Sequence, residues 1–158
     1  MPLKLAADSM LGGLAKWLRL LGFDTYYLRR GPVETLSDRI LLTRRSRRPH
    51  QPRLKGWQDI VNLSGNDTLS QLKETIKTLD LKREDARPLT RCSVCNHSLQ
   101  VVAKDDILSR VPEFVLTYND DFSLCPECGR VYWPGTHHGR ILHVINTLWS
   151  DRHSGEKA

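Results

Sequence analysis

The residues best suited to bind a metal ion are the four cysteines, which form two pairs with C-x-x-C spacing. Cys92 and Cys95 form the first pair, and Cys125 and Cys128 form the second after an interval of residues 96–124. A C-x-x-C turn brings two thiolates within reach of one tetrahedral ion, and two such turns complete a four-sulfur zinc site. Because protein ligands would fill all four positions, we expect a zinc ion that stabilises the fold and takes no part in chemistry.

Two other interpretations of the cysteines stay open at this point. Two disulfide bonds would require an oxidising compartment, and a redox dithiol would explain one pair but not its repetition. Asn96 follows the first pair and Gly129 follows the second. Both residue types suit a turn with positive φ, and this favours two zinc knuckles.

Basic side chains are concentrated in the first part of the chain. The net charge is +6, with 18 basic and 10 acidic side chains at positions 1–91 and 6 basic and 8 acidic ones at positions 92–158. Positions 39–55 hold no acidic residue and seven basic ones, which are Arg39, Arg44, Arg45, Arg47, Arg48, Arg53 and Lys55. We interpret this proline-containing segment as a loop that contacts phosphates. The alternative is a solvated loop without a partner.

Outside this loop, the first part of the chain predicts a small α/β sheet that is largely parallel. Apolar and β-branched runs indicate four short strands at residues 3–7, 25–28, 40–43 and 59–63. A helix with Asp8 or Ser9 as its cap follows the first strand, and a helix with a capping box at Thr68 and Gln71 follows the fourth. Asp8 and Arg45 come after the first and third strands. If these strands are neighbours, both residues lie at the carboxyl edge of the sheet, where α/β proteins bind ligands.

The sequence divides into two parts and a tail. We expect an α/β domain at residues 1–85, a zinc-ribbon module with a C-terminal helix at 86–150, and a disordered tail at 151–158. Inside the module, residues 114–118 and 131–133 are interpreted as strands. No apolar run is long enough to cross a bilayer and no signal peptide is recognisable, so we expect a cytoplasmic protein without membrane contact.

Four motifs, in this order, resemble one known family. They are SMLGGLAKWLRLLGFDT, ILLTR, RCSVCNHSL and FSLCPECGRVYWPGTHHGRI. Over residues 3–145 the chain is similar to the ribonuclease domain at the C-terminus of the animal mutator-seven exonuclease, which has stand-alone bacterial and archaeal relatives. The resemblance implies a PIN-like nuclease fold followed by a zinc ribbon. It also implies RNA cleavage with Mg²⁺ or Mn²⁺ held by clustered carboxylates.

The resemblance implies roles for individual residues. Asp8 matches the family's first-strand aspartate, but Arg45 stands where the family usually has an aspartate after the LLTR strand. Glu34 and Asp38 are the acids left in the shortened stretch before that strand, so they are the further candidates for catalytic metal ligands. An arginine in this place would repel a divalent cation, and the acidic site is therefore incomplete.

Three functions follow as hypotheses. The first is a metal-dependent ribonuclease that uses Asp8 and either Glu34 or Asp38. The second is an inactive RNA-binding protein of the same fold. In both cases RNA would contact the basic loop, through Arg44, Arg45, Arg47, Arg48, Arg53 and Lys55. The third is a zinc-ribbon module that docks on another protein through exposed Tyr132 and Trp133. None of the three specifies the RNA or the oligomeric state.

Overall fold

The computed structural model of the protein describes residues 2–29, 36–45 and 55–150. In chain order its main elements are β1 (Lys4–Ala7), α1 (Gly12–Leu20), β2 (Asp24–Tyr27), β3 (Ile40–Thr43), β4 (Ile60–Asn62), α2 (Thr68–Thr78), β5 (Gln100–Val102), α3 (Glu113–Tyr118), β6 (Phe122–Leu124), β7 (Val131–Tyr132) and α4 (Thr136–Ser150). Short 3₁₀ turns lie at Arg83–Asp85 and Lys104–Ile107.

The first four strands form a parallel sheet in the order β2, β1, β3, β4. This confirms the predicted α/β class with a parallel sheet and flanking helices. Ala7 at the end of β1 lies opposite Leu42 of β3, and the amide of Asp8 donates to the carbonyl of Leu42 at 3.0 Å. The carboxyl ends of β1 and β3 are therefore adjacent, and Asp8 lies beside the end of β3.

Both predicted helix caps differ from the observed ones. The N-cap of α1 is Leu11, without a side-chain hydrogen bond, because Asp8 is too far ahead of the first helical residue to reach its amides. The N-cap of α2 is Asp67, whose carboxylate accepts from the amide of Ser70 at 3.0 Å. Aspartate is among the best N-cap residues, so it takes the place that the capping box assigned to Thr68.

The linker to the zinc module crosses the end of α1 at Gly22. This glycine has φ of +90°, and a Cβ there would lie 2.2 Å from the carbonyl oxygen of Arg87. The amides of Arg87 and Leu89 donate to the carbonyls of Leu21 and Leu20, each at 2.9 Å. The missing side chain at position 22 therefore lets the linker lie directly on the helix end.

Helix α4 packs on the core of the parallel sheet, although it follows the zinc module in the chain. Its residues Ile145, Leu148 and Trp149 belong to the same buried cluster as Leu5 of β1. The indole N–H of Trp149 donates to the carbonyl of Leu81 at 2.9 Å. The boundary between residues 85 and 86 stays a prediction, and the packing of α4 joins the two segments in one core.

Strands β5, β6 and β7 form a small antiparallel sheet around the second half of the cysteine motif. The predicted strand at residues 114–118 is wrong, because these residues form helix α3. Pro112 precedes the helix with φ of −60°, and the apolar residues do not alternate. Phe114 and Tyr118, which lie four residues apart, are both exposed, whereas Val115 is buried; this is helical spacing.

Candidate functional site

The four cysteine sulfurs form one compact cluster. All four Sγ atoms lie within 4.8 Å of one another, with Cys92 and Cys128 3.7 Å apart and Cys95 and Cys125 3.2 Å apart. A tetrahedral zinc ion with Zn–S bonds of about 2.3 Å separates its sulfur ligands by about 3.8 Å. All four cysteines are free, as these separations require. The donor set and its spacing thus fit zinc.

The two knuckles have the backbone geometry that the sequence predicts. Asn96 has φ of +72° and Gly129 has φ of +74°. The amide of Asn96 donates to the carbonyl of Cys92 at 3.0 Å, and the amide of Gly129 donates to that of Cys125 at 2.9 Å. Each turn thereby closes on its own pair of cysteines.

Tyr132 contacts the sulfur cluster directly. Its hydroxyl lies 3.0 Å from Sγ of Cys92. Burial raises the pKa of the Cys92 thiol, but hydrogen bonds from Tyr132 and from knuckle amides lower it to about 6. Burial and the Cys92 contact raise the pKa of Tyr132 to about 12, so its hydroxyl stays a donor at neutral pH. Tyr132 is half-buried rather than exposed as the docking hypothesis assumed.

Arg19 of α1 fixes the first knuckle to the parallel sheet. Its Nη1 donates to the carbonyls of Ser93 and Val94 at 3.2 and 2.9 Å, and its Nε donates to the carbonyl of Thr25 at 2.9 Å. The side chain is 8% exposed. Burial lowers the pKa of Arg19, and the sulfurs of Cys92 and Cys95 act against this shift. The periodicity of α1 places Arg19 on the polar face and contains no signal for this contact.

Asn96 adds a second connection between the knuckle and the sheet. Its side-chain oxygen accepts from the amide of Thr25 at 2.9 Å, and its nitrogen donates to Oδ1 of Asp24 at 2.7 Å. Arg39 also donates to Asp24, at 2.7 Å. Burial raises the pKa of Asp24, but the bonds from Arg39 and Asn96 bring it below its usual value. The ionised Asp24 therefore anchors the turn that Asn96 makes.

Asp8 is the buried acid at the carboxyl edge of the sheet. It is 1% exposed, and its carboxylate accepts from the amide of Ser9 at 2.7 Å and from the hydroxyl of Thr43 at 2.8 Å. Burial raises the pKa of Asp8, but the bonds from Thr43 and Ser9 and the charge of Arg45 lower it below the ordinary value. Asp8 is thus an anion at neutral pH.

Arg45 forms an ion pair with Asp8. Its Nε lies 3.0 Å from Oδ2 of Asp8, and the arginine side chain is 30% exposed. The amide of Arg45 donates to the hydroxyl of Thr43 at 3.0 Å, and its carbonyl accepts from the side chain of Asn62. Three strand ends thus hold the arginine beside the aspartate. The sequence predicts that Asp8 and Arg45 lie at the same edge, but no pattern in it indicates that Asn62 contacts Arg45.

Of the two other acids proposed as catalytic ligands, the structure describes Asp38 and places it away from Asp8. Asp38 pairs with Lys4 at 2.9 Å, at the amino-terminal end of β1, whereas Asp8 follows its carboxyl end. Four residues of strand separate the ends by about 13 Å, so Asp38 does not join Asp8 in a metal site. Glu34 lies outside the described residues.

Two further acids near the carboxyl edge accept hydrogen bonds from backbone amides. Asp67 caps α2, and Glu74 accepts from the amides of Ser64 and Gly65 at 3.0 Å each. Within residues 2–29, 36–45 and 55–150, the four cysteines are the one group of three or more potential metal ligands. The described carboxylates at this edge therefore do not form a cluster that fits Mg²⁺ or Mn²⁺.

The proposed RNA-contacting residues are described in part. Arg44 donates to Oδ1 of Asn66 at 2.8 Å and, like Lys55, is exposed. Arg45 is engaged with Asp8. Arg47, Arg48 and Arg53 lie outside the described residues. Along the described part of the chain, no helix has the length and apolar character needed to span a membrane.

Comparison with known proteins identifies the family of the chain. No curated protein and no solved structure matches it. The family model described as the Mut7-C RNAse domain matches residues 3–145, which include both the Asp8 edge and all four cysteines. The chain therefore belongs to the Mut7-C RNAse domain family.

Proposed function

We propose that the protein binds RNA at the carboxyl edge of its parallel sheet and cleaves it weakly at most. The observation that carries the proposal is the ion pair between Asp8 and Arg45. In this pair a guanidinium lies against the carboxylate that would otherwise face a divalent cation. The family supports RNA as the substrate class. The close spacing of the four cysteine sulfurs supports a structural zinc ion.

The chemistry of Asp8 supports weak cleavage. A catalytic Mg²⁺ or Mn²⁺ ion needs several oxygen ligands and favours more than one carboxylate. The carboxylate of Asp8 already accepts hydrogen bonds from Ser9, Thr43 and Arg45. The nearby positive charge of Arg45 disfavours a second cation through direct repulsion.

The basic loop supports RNA binding. Arg44 is exposed at the carboxyl edge, and the side chain of Arg45 remains 30% exposed while it pairs with Asp8. Both can contact phosphates without losing their present partners. In this proposal Arg47, Arg48, Arg53 and Lys55 supply further phosphate contacts.

The salt dependence of RNA affinity tests this proposal. Each phosphate contact contributes about 0.7 to the slope of log affinity against log salt for a single strand. Replacing Arg44, Arg45, Arg47 and Arg48 by alanine should lower the slope by up to about 3. A control variant removes the same charge through Lys73, Lys77, Lys82 and Arg140, which are exposed elsewhere. Equal slopes for the two variants would contradict the proposal.

A second candidate function is an active ribonuclease in which Arg45 acts on the substrate. The partial exposure of its side chain favours this candidate, because an arginine can stabilise the charge that develops on a phosphate during cleavage. The two functions differ in the effect of Arg45→Asp, which should raise metal-dependent cleavage in the first case and lower it in the second.

A further inference from the structure

A groove of about 500 Å³ lies where helix α1 meets the zinc module. Its lining includes Lys16 of α1, Val94 of the first knuckle, and Arg110, Arg130 and Trp133 of the zinc module. The groove is separate from the carboxyl edge, because neither Asp8 nor Arg45 lines it. Four separate segments of the sequence thus build one concave surface.

The charged side chains in the groove are all basic. Lys16, Arg110 and Arg130 are exposed, and no acidic residue lines the groove. The segment from the first cysteine to the end of α4 has the opposite balance, since residues 92–150 carry 4 basic and 6 acidic side chains. Another of these basic residues, Lys104, is paired with Asp120 at 3.0 Å. The groove therefore collects positive charge on an otherwise acidic module, which suits an anionic ligand.

Trp133 gives the groove a flat apolar surface. The residue is 36% exposed, and a tight turn follows it, in which the amide of Gly135 donates to the carbonyl of Trp133 at 2.9 Å. A Cβ at Gly135 would lie 3.3 Å from Nε1 of the indole, so the glycine lets the ring edge approach the backbone. The indole therefore lies against this turn and lines the groove together with the basic side chains.

We propose that this groove binds a segment of single-stranded RNA, with one base stacked on Trp133 and phosphates in contact with Lys16, Arg110 and Arg130. An aromatic ring among basic side chains is the combination that binds single strands, because bases stack on the ring while the backbone meets the charges. A duplex keeps its bases stacked internally and cannot use the ring. The proposal rests on RNA being the ligand of the carboxyl edge.

The position of α1 connects the two surfaces. Lys16 lies four residues after Gly12, which begins the helix, and this interval corresponds to a rise of about 6 Å. The loop before the helix starts at Asp8 itself. An RNA strand held in the groove can therefore continue past the start of α1 to the carboxyl edge, and the groove acts as a second contact for the same strand.

The binding of a labelled oligouridylate, measured by fluorescence anisotropy, tests the groove. Trp133→Ala should weaken binding about 5- to 150-fold, as loss of one stacked base does, whereas Trp133→Phe should keep most of the affinity. Replacing Lys16, Arg110 and Arg130 together by glutamine should lower the salt slope by about 2. Tyr118→Ala and Lys77→Ala are the matched controls, because both residues are exposed and neither lines the groove. Each should bind within about twofold of the parent.

The outcomes separate this proposal from the function proposed above. If the parent protein binds no RNA, both are wrong. If removing the arginines of the basic loop weakens binding while the groove variants bind like the parent, the groove proposal alone is wrong. Zinc content is measured on every variant, and loss of zinc together with affinity would assign the basic residues to the cysteine cluster and overturn the proposal. Stronger competition by an acidic peptide than by unlabelled RNA would overturn it in favour of a protein ligand.

Discussion

Nε of Arg45 lies 3.0 Å from Oδ2 of Asp8, and this pair joins the ends of two adjacent parallel strands. The aspartate side chain is 2% exposed and the arginine side chain is 30% exposed, so the pair lies at the boundary between the core and solvent. The cation that neutralises the buried acid is thus part of the protein. Replacing Arg45 is the most direct test of whether the carboxyl edge can support metal-dependent cleavage of RNA.

Arg45→Asp should raise Mn²⁺- or Mg²⁺-dependent cleavage of RNA. The change removes the repelling charge and adds an oxygen ligand beside Asp8. Cleavage of a labelled single strand, with and without chelator, measures the effect. Lys77→Asp changes the charge equally at an exposed position of α2 and is the control. Brisk cleavage by the parent protein that Arg45→Asp slows would instead make Arg45 the residue that stabilises charge on the substrate.

Asp8→Asn should abolish any cleavage and should also destabilise the protein near neutral pH. The change leaves the guanidinium of Arg45 without its anion, which costs about 1–3 kcal/mol in the free energy of unfolding. Because folding lowers the pKa of Asp8, the charged form contributes stability above the unfolded value of about 3.9 and loses it as pH falls through the folded value. Thermal unfolding of both proteins from neutral to acidic pH checks this. A difference that does not shrink below about pH 4 would contradict it.

The purified protein should contain about one zinc ion per chain, bound by the four cysteines. Cys125→Ser removes one ligand, so zinc should be lost and the antiparallel sheet of the module should lose protection from hydrogen exchange. Metal analysis and exchange mass spectrometry measure both effects. Protein without zinc in which mass spectrometry finds disulfides would refute the zinc assignment.

Arg19→Met should accelerate the release of zinc to a chelator and lower the thermal stability of the α/β core. The change removes the donors to the carbonyls of Ser93, Val94 and Thr25, which are then left without their charged partner. Arg19→Lys should give an intermediate effect, because one ammonium group cannot reproduce the fork of a guanidinium. Arg140→Met, at an exposed arginine of α4, is the control. Release rates that match the control in both variants would show that the knuckle does not depend on Arg19.

The sequence predicts the features that depend on local pattern, which are the knuckle turns, the parallel sheet and the family motifs. Asn96 and Gly129 were expected to have positive φ, and they do, because a C-x-x-C turn imposes its own backbone geometry. The parallel sheet follows from strands that alternate with helices, and it brings Asp8 and Arg45 to the same edge. The family was likewise predicted from the order of the motifs and is confirmed over residues 3–145.

The sequence does not predict what depends on packing between distant segments. Arg19 is buried because the first knuckle lies on the polar face of α1. The periodicity of α1 does not indicate that contact. The helical structure of residues 114–118 was missed because a short apolar run fits a strand and a helix equally well. Asp38 was a reasonable candidate by chain position, but its pairing with Lys4 places it at the other end of the sheet.

Helix α4 affects how the protein folds during its synthesis on the ribosome. The four parallel strands and helices α1 and α2 emerge first, yet Ile145, Leu148 and Trp149 complete their core only after the whole zinc module has been made. The nascent chain therefore displays an apolar surface throughout that interval, when aggregation and chaperone binding compete with folding. All four cysteines precede α4, so metal loading can begin during translation, before the helix closes the core.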